Sequence, residues 1–196
     1  MSFPRAPLGG RVAGIDPGTR AAGYCVLEGS RVLAVGVIKT RVRDMAGRLR
    51  QIFDRLDAVL RKHRPSVVAV ERAFVGRNPA SALALGLGRG VALLCAARCG
   101  AKVVEVAPSE AKRAVGAGGG AAKERVQRMV QLILRLREPL PPDAADAAAL
   151  ALGAQGAVSR ITFQASRRRP SAVRRLGRGR AARGRPMTGD AERGTT

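Results

Sequence analysis

Negative charge is what this chain has least of: 14 Asp and Glu stand against 36 Lys and Arg, a formal net charge of +22. Polyanions are the partners such a balance implies, and any cluster of acids must be held against a strongly positive background. Basicity alone does not make an enzyme, since histone-like and ribosomal proteins share it. Aromatic residues are also scarce, at 3% with no Trp and Tyr24 the single tyrosine, so the core has to be built from Val, Leu, Ile and Ala. Cys25, Cys95 and Cys99 are odd in number and form no CxxC pair, which excludes a disulfide framework and leaves them as small buried apolar residues. No apolar run reaches the roughly 18 residues of a membrane span, because Arg89 cuts the longest candidate. Residues 1–10 lack the apolar centre of a signal peptide. A cytoplasmic protein without membrane contact is the expectation.

What is present is one body between two irregular ends. Residues 1–10 read as a flexible arm, 11–159 as a single folded domain and 160–196 as a disordered Arg-rich tail. The tail holds 11 Arg and 2 acids, which leaves 25 basic and 12 acidic residues in 1–159. The body is therefore basic without its tail. Three β-like runs, 11–16, 22–28 and 31–38, are separated by Pro17-Gly18 and Gly29-Ser30, links short enough only for an antiparallel meander. Leu49, Ile52, Phe53, Leu56, Val59 and Leu60 recur at helical spacing over 44–63, with Pro65 just beyond. A short buried strand over 66–71, a helix over 79–99, a strand over 102–106 and helices near 108–115, 121–137 and 143–158 complete the body. Antiparallel strands followed by strand–helix alternation predict an α/β fold, a mixed five-stranded sheet flanked by helices.

The scarce acids fall at element ends. Asp16 closes the first strand and Glu71 the fourth; if the fourth strand lies parallel beside the first, both leave the sheet at one edge, where ligands of open α/β sheets bind. Asp143 and Asp146, three residues apart in the first turn of a helix, project from one face. Each has an ordinary reading, a turn-initiating Asp-Pro-Gly at Asp16 and first-turn helix acids at Asp143 and Asp146. Glu71 is harder to dismiss, because it closes the apolar run Val67–Val70 and risks desolvation. Two carboxylates about 4 Å apart repel by roughly 4 kcal/mol at an effective dielectric near 20, so four together call for divalent cations. Mg²⁺, a hard ion that prefers oxygen ligands and keeps several waters, suits such a set. A pair of Mg²⁺ ions could drive phosphodiester hydrolysis, with Mn²⁺ able to take the place of Mg²⁺. Lys112, Arg113, Lys123 and Arg125 flank the glycine segment 116–120, where a phosphate backbone would need cations.

Gly14-Ile15-Asp16-Pro17-Gly18-Thr19, Gly23-Tyr24, Val70-Glu71-Arg72-Ala73-Phe74, Asn78, Ser81-Ala82-Leu83, Leu85-Gly86, Arg89-Gly90-Val91 and Pro142-Asp143-Ala144-Ala145-Asp146-Ala147 together resemble the RuvC family of bacterial Holliday-junction resolvases, in order and at the family's spacing, from about Arg11 to Ser159. The resemblance implies a ribonuclease-H-like fold, a homodimer with two active sites, and Mg²⁺-dependent paired nicking of a four-way DNA junction. It places Asp16, Glu71, Asp143 and Asp146 on metal-binding catalytic positions, although some relatives carry His where this chain has Asp143. Lys112 and Lys123 match basic positions near the scissile DNA, Phe74 an aromatic that distorts bases at the crossover, and Arg77 and Arg89 further DNA contacts. Branch-migration proteins of the same recombination system are implied as partners. The Arg-rich tail has no counterpart in the family pattern.

Two other readings compete. Asp16-Pro17-Gly18-Thr19 also fits the phosphate hairpin of actin-like ATPases and sugar kinases, but those enclose a nucleotide between two domains and this body supplies one. A catalytically silent nucleic-acid binder explains the charge but not the acids, which repel phosphate unless a cation intervenes.

Overall fold

The computed structural model describes residues 10–72, 79–120 and 122–167, with side chains to Gly156. Strands β1 (Val12–Asp16), β2 (Ala21–Glu28) and β3 (Arg31–Lys39) form the meander. The β2–β3 turn is Gly29-Ser30, with Gly29 at φ 60, a left-handed conformation that glycine takes without a Cβ penalty. Helix α1 (Met45–His63) starts where the Asp44 side chain accepts the Gly47 N–H at 2.7 Å. It ends at Arg64, whose left-handed backbone turns the chain toward Pro65. Strand β4 (Val67–Glu71), helix α2 (Pro79–Arg98) and strand β5 (Lys102–Val106) follow, then helices α3 (Pro108–Ala114), α4 (Lys123–Ile133) and α5 (Pro142–Arg167). Pro142 opens α5 at a position where its missing N–H costs nothing.

The five strands lie in the order β3-β2-β1-β4-β5, antiparallel across β1–β2 and β2–β3, parallel across β1–β4 and β4–β5. This is the expected mixed sheet, with helices on both faces. Strand alternation sorts the core into two layers. Val12, Cys25, Leu27, Val67 and Ala69 face α5, α3 and α4, while Ala13, Ile15, Val26, Val68 and Val70 face α1 and α2. The second layer is tied by Asp57, buried between Arg61 at 3.0 Å and Arg98 at 3.1 Å, which joins α1 to α2. Cys25 and Cys95 are buried free thiols, as small core residues should be.

Two expectations shift. Helix α5 runs to Arg167 rather than ending near residue 158, so the first residues assigned to the disordered tail are helical. Helix α2 is long and apolar enough to cross a membrane by length and composition. Yet it lays Gly88, Ala92, Cys95 and Ala96 on the sheet and α1, and its Arg89 is bound within the protein.

Candidate active site

Alternation along the strands decides where the acids point. Asp16 follows Val12 and Gly14 at every second position of β1, and Glu71 follows Val67 and Ala69 on β4, so both belong to the α5 face of the sheet. The parallel register pairs Ile15 with Val70, which brings the two strand ends level on neighbouring strands.

Glycines then let α5 descend onto them. A Cβ on Gly14 would lie 1.9 Å from the Ala147 carbonyl oxygen, and one on Gly23 would lie 1.9 Å from that of Asp143. No side chain fits in either place, so the first turns of α5 rest directly on the backbone of β1 and β2. Gly23 is the register partner of Asp16, so this contact sets Asp143, and Asp146 one turn on, beside Asp16. From the other side Gly88 of α2 abuts the backbone of Gly18, 3.1 Å from where its Cβ would be. The Pro17-Gly18 turn after Asp16 is thereby held against α2.

The four acids share one field. Burial first, then the charges of Asp146, Asp143 and Glu71, push the Asp16 carboxyl up to about 7, with Lys123 opposing. Burial and then Asp146 also raise Glu71, again against Lys123. The Lys123 ammonium, at the start of α4, stands 3.6 Å from Asp146 Oδ2. Among the described residues no three acidic, histidine or cysteine side chains form a ready-made metal cage. What the four acids share is one electrostatic field, seen in the raised Asp16 and Glu71 carboxyls. The donor set fits a hard divalent ion, since it consists of carboxylate oxygens alone and such a cation would relieve the charge crowding that, with burial, raises Asp16 and Glu71.

Other predicted residues divide. Lys112 sits half-buried in α3, and Lys123 projects from α4 with a largely exposed side chain. Phe74 and Arg77 lie outside the described residues. Arg89 has another task than the DNA contact expected of it. Its side chain is only 13% exposed. The guanidinium donates to the Glu71 carbonyl oxygen and pairs with the Glu105 carboxylate, binding the ends of β4 and β5 from the α2 side. Arg89 is thus a positioning residue for Glu71. The glycine segment between α3 and α4 is a folded connection: Gly116 and Gly118 adopt φ 70 and 83, which favour glycine. Sequence reasoning missed the part played by Gly14, Gly23 and Glu105; mid-strand glycine was the available signal for the first two.

A ribonuclease-H-like sheet with carboxylates gathered at one edge, on a basic chain, defines a nuclease of the phosphodiester-hydrolysing class. Residues 12–154 match the family model for the crossover junction endodeoxyribonuclease RuvC. The chain is 46% identical over 147 residues to the crossover junction endodeoxyribonuclease RuvC of Heliobacterium modesticaldum, covering 72% of this chain and 91% of that one. With the Myxococcus xanthus protein of the same name it shares 48% over 149 residues, 72% of this chain and 78% of that one. Its fold superposes on Thermus thermophilus RuvC in complex with Holliday junction substrate with a TM-score of 0.70 and 38% identity, over 77% of this chain and 96% of the other. The chain belongs to the RuvC family of crossover junction endodeoxyribonucleases.

Proposed function

We propose that Asp16, Glu71, Asp143 and Asp146 are the catalytic and metal-holding residues of a Holliday-junction resolvase that works with Mg²⁺, two ions to a site, and accepts Mn²⁺ in its place. The observation that carries this reading is geometric: Asp16 and Glu71 end neighbouring strands level with each other, and the first turn of α5 with Asp143 rests on Gly23, the register partner of Asp16. Bound there, divalent ions would supply an activated water and stabilise the departing 3′-oxygen. The protein's own share is placement. Asp16 and Glu71 are fixed by the β1–β4 register, Arg89 holds the Glu71 backbone, and the Gly14 and Gly23 contacts seat Asp143 and Asp146 over them. Lys123 neutralises Asp146 when no other cation is there, and with Lys112 it is placed to meet the strand to be cut. Phe74 and Arg77 are assigned to the same DNA on family resemblance.

The working form is a pair of copies acting on a four-way junction in the cytoplasm. Leu83, Leu87 and Leu94 lie along one side of α2 and are exposed by 67%, 37% and 53%. An apolar stripe of this kind marks an association surface, and two-fold pairing would set identical sites on opposed strands of a near-two-fold substrate. The same reading includes branch-migration proteins as further partners, and a nuclease domain over residues 11–159 with the basic tail adding non-specific DNA affinity.

The test is cleavage of a synthetic four-way junction with Mg²⁺ or with chelator. Asp16→Asn and Glu71→Gln should each lower cleavage by about a thousandfold or more, while junction binding stays within a few fold of wild type. Undiminished cutting by either variant would remove that residue from the site.

A further inference from the structure

Three cations converge on a cleft at the free edge of the sheet. Val37 and Lys39 of β3, Arg41 just beyond it, and Gln51 and Arg55 of α1 line a cleft of about 310 Å³. Among the described residues no carboxylate lines it. The Arg41 backbone N–H donates to Gln51 Oε1 at 3.3 Å, which ties the strand end to the helix. Among the described residues Lys39, Arg41 and Arg55 enter no ion pair, whereas on the same helix Arg50 pairs with Asp54 at 3.7 Å and Arg61 with Asp57 at 3.0 Å. Single exposed Lys and Arg residues are ordinary. Three around one amide, with no acid beside them, repel one another and gain from an anion between them.

The cleft is placed relative to the acids by the strand register. Asp16 pairs with Gly23, and Gly23 pairs with Val37. Lys39 therefore lies on the same sheet face as Asp16, two strands across and two residues further along, on the order of 12 Å away, while Gln51 and Arg55 reach the free edge from α1 on the other face. That distance corresponds to about three or four nucleotides of one DNA strand at 3.4 Å each. Lys123, on α4, already stands 3.6 Å from Asp146 at the acids.

We infer that Lys39, Arg41, Gln51 and Arg55 form a phosphate-binding cleft that grips the backbone of a DNA arm about three or four nucleotides from the strand held at the acids. The inference rests on the nuclease reading. The guanidinium forks of Arg41 and Arg55 match phosphate oxygens two at a time, and Lys39 adds a point charge. Such contacts fix the position of the arm and read no base.

The experiment uses the full chain carrying Lys39→Gln, Arg41→Gln and Arg55→Gln together, with a melting curve beside wild type. Binding is measured to four-way junctions in which a neutral methylphosphonate replaces one phosphate at a time along an arm. The slope of log Kd against log salt should fall by about two to three, and affinity should drop by the same factor whatever the sequence at the crossover. A methylphosphonate some three or four nucleotides from the cut should weaken wild type several fold and leave the variant unaffected. An unchanged salt slope in a folded variant, or equal methylphosphonate sensitivity in both proteins, would overturn the inference. If the triple variant melts early, Arg55→Gln alone decides by the same methylphosphonate comparison. Failure of wild type to cut any junction with Mg²⁺ would instead sink the functional reading, while the methylphosphonate comparison would still decide whether the cleft holds phosphate.

Discussion

Helices α2 and α5 are both long, apolar and rich in alanine, yet they meet opposite fates. In α5 Ala144, Ala145, Ala147, Ala148, Ala151 and Ala154 are buried against strands whose own glycines admit its backbone. In α2 only Gly88, Ala92, Cys95 and Ala96 are buried, and three leucines stay in solvent. Composition does not set the difference; the partner surface does. A helix of small residues over Gly14 and Gly23 can approach until its first-turn acids stand beside Asp16. A helix studded with leucines packs one side on the sheet and leaves the other exposed. The inward helix brings its acids beside Asp16, and the outward one carries the stripe proposed above for subunit pairing.

The comparison breaks most severely at Gly14. Gly14→Val would drive methyl groups into the Ala147 carbonyl, and since backbone cannot yield as a side chain does, stability should fall by about 3 kcal/mol or more with cleavage lost. Chemical denaturation measures the loss, and a fall under about 1 kcal/mol would mean that α5 rides more loosely than described. Leu83→Glu with Leu94→Glu addresses the other helix. Sedimentation should show single chains at concentrations where wild type pairs, while the stability of the separated chain changes by no more than about 0.5 kcal/mol, as for ordinary surface substitutions. An unaltered dimer would move the subunit interface off α2.

Much of this was legible in sequence. The strand and helix periods, the Pro17-Gly18 and Gly29-Ser30 links and the position of Glu71 at the end of an apolar run placed the elements and brought Asp16 and Glu71 to one edge. Local signals had no access to tertiary placement. Arg89 reads as a solvent-facing cation on an apolar helix, and nothing nearby in sequence announces that the Glu71 carbonyl and Glu105 will receive it. The cleft at Lys39, Arg41 and Arg55 joins a strand end to a helix, so its cations are separated in sequence and each reads as ordinary surface. His63, beside Lys62 and Arg64, reads as a cation or a hydrogen-bonding residue at the end of α1. Burial and the neighbouring Lys62 and Arg11 hold its imidazole below the usual pKa, which disfavours the charged form. Nor does the sequence announce how far burial and repulsion by the charges of Asp146, Asp143 and Glu71 together raise the Asp16 carboxyl.

That repulsion is also the most direct test of whether acids on β1, β4 and α5 share one site. Asp16 has a folded pKa of about 7 against 3.8 for the free side chain, so between these values the folded protein binds the extra proton. Stability must then fall as pH rises through that window, and a divalent ion should restore it at the upper end. The measurement is the melting temperature of metal-free protein from about pH 5 to about pH 8, with and without Mg²⁺, for wild type and Asp16→Asn. The account predicts a downward slope in wild type that Mg²⁺ reverses, and a flatter profile with little Mg²⁺ response in the variant. Coincident profiles for the two proteins, with the same response to Mg²⁺, would contradict it.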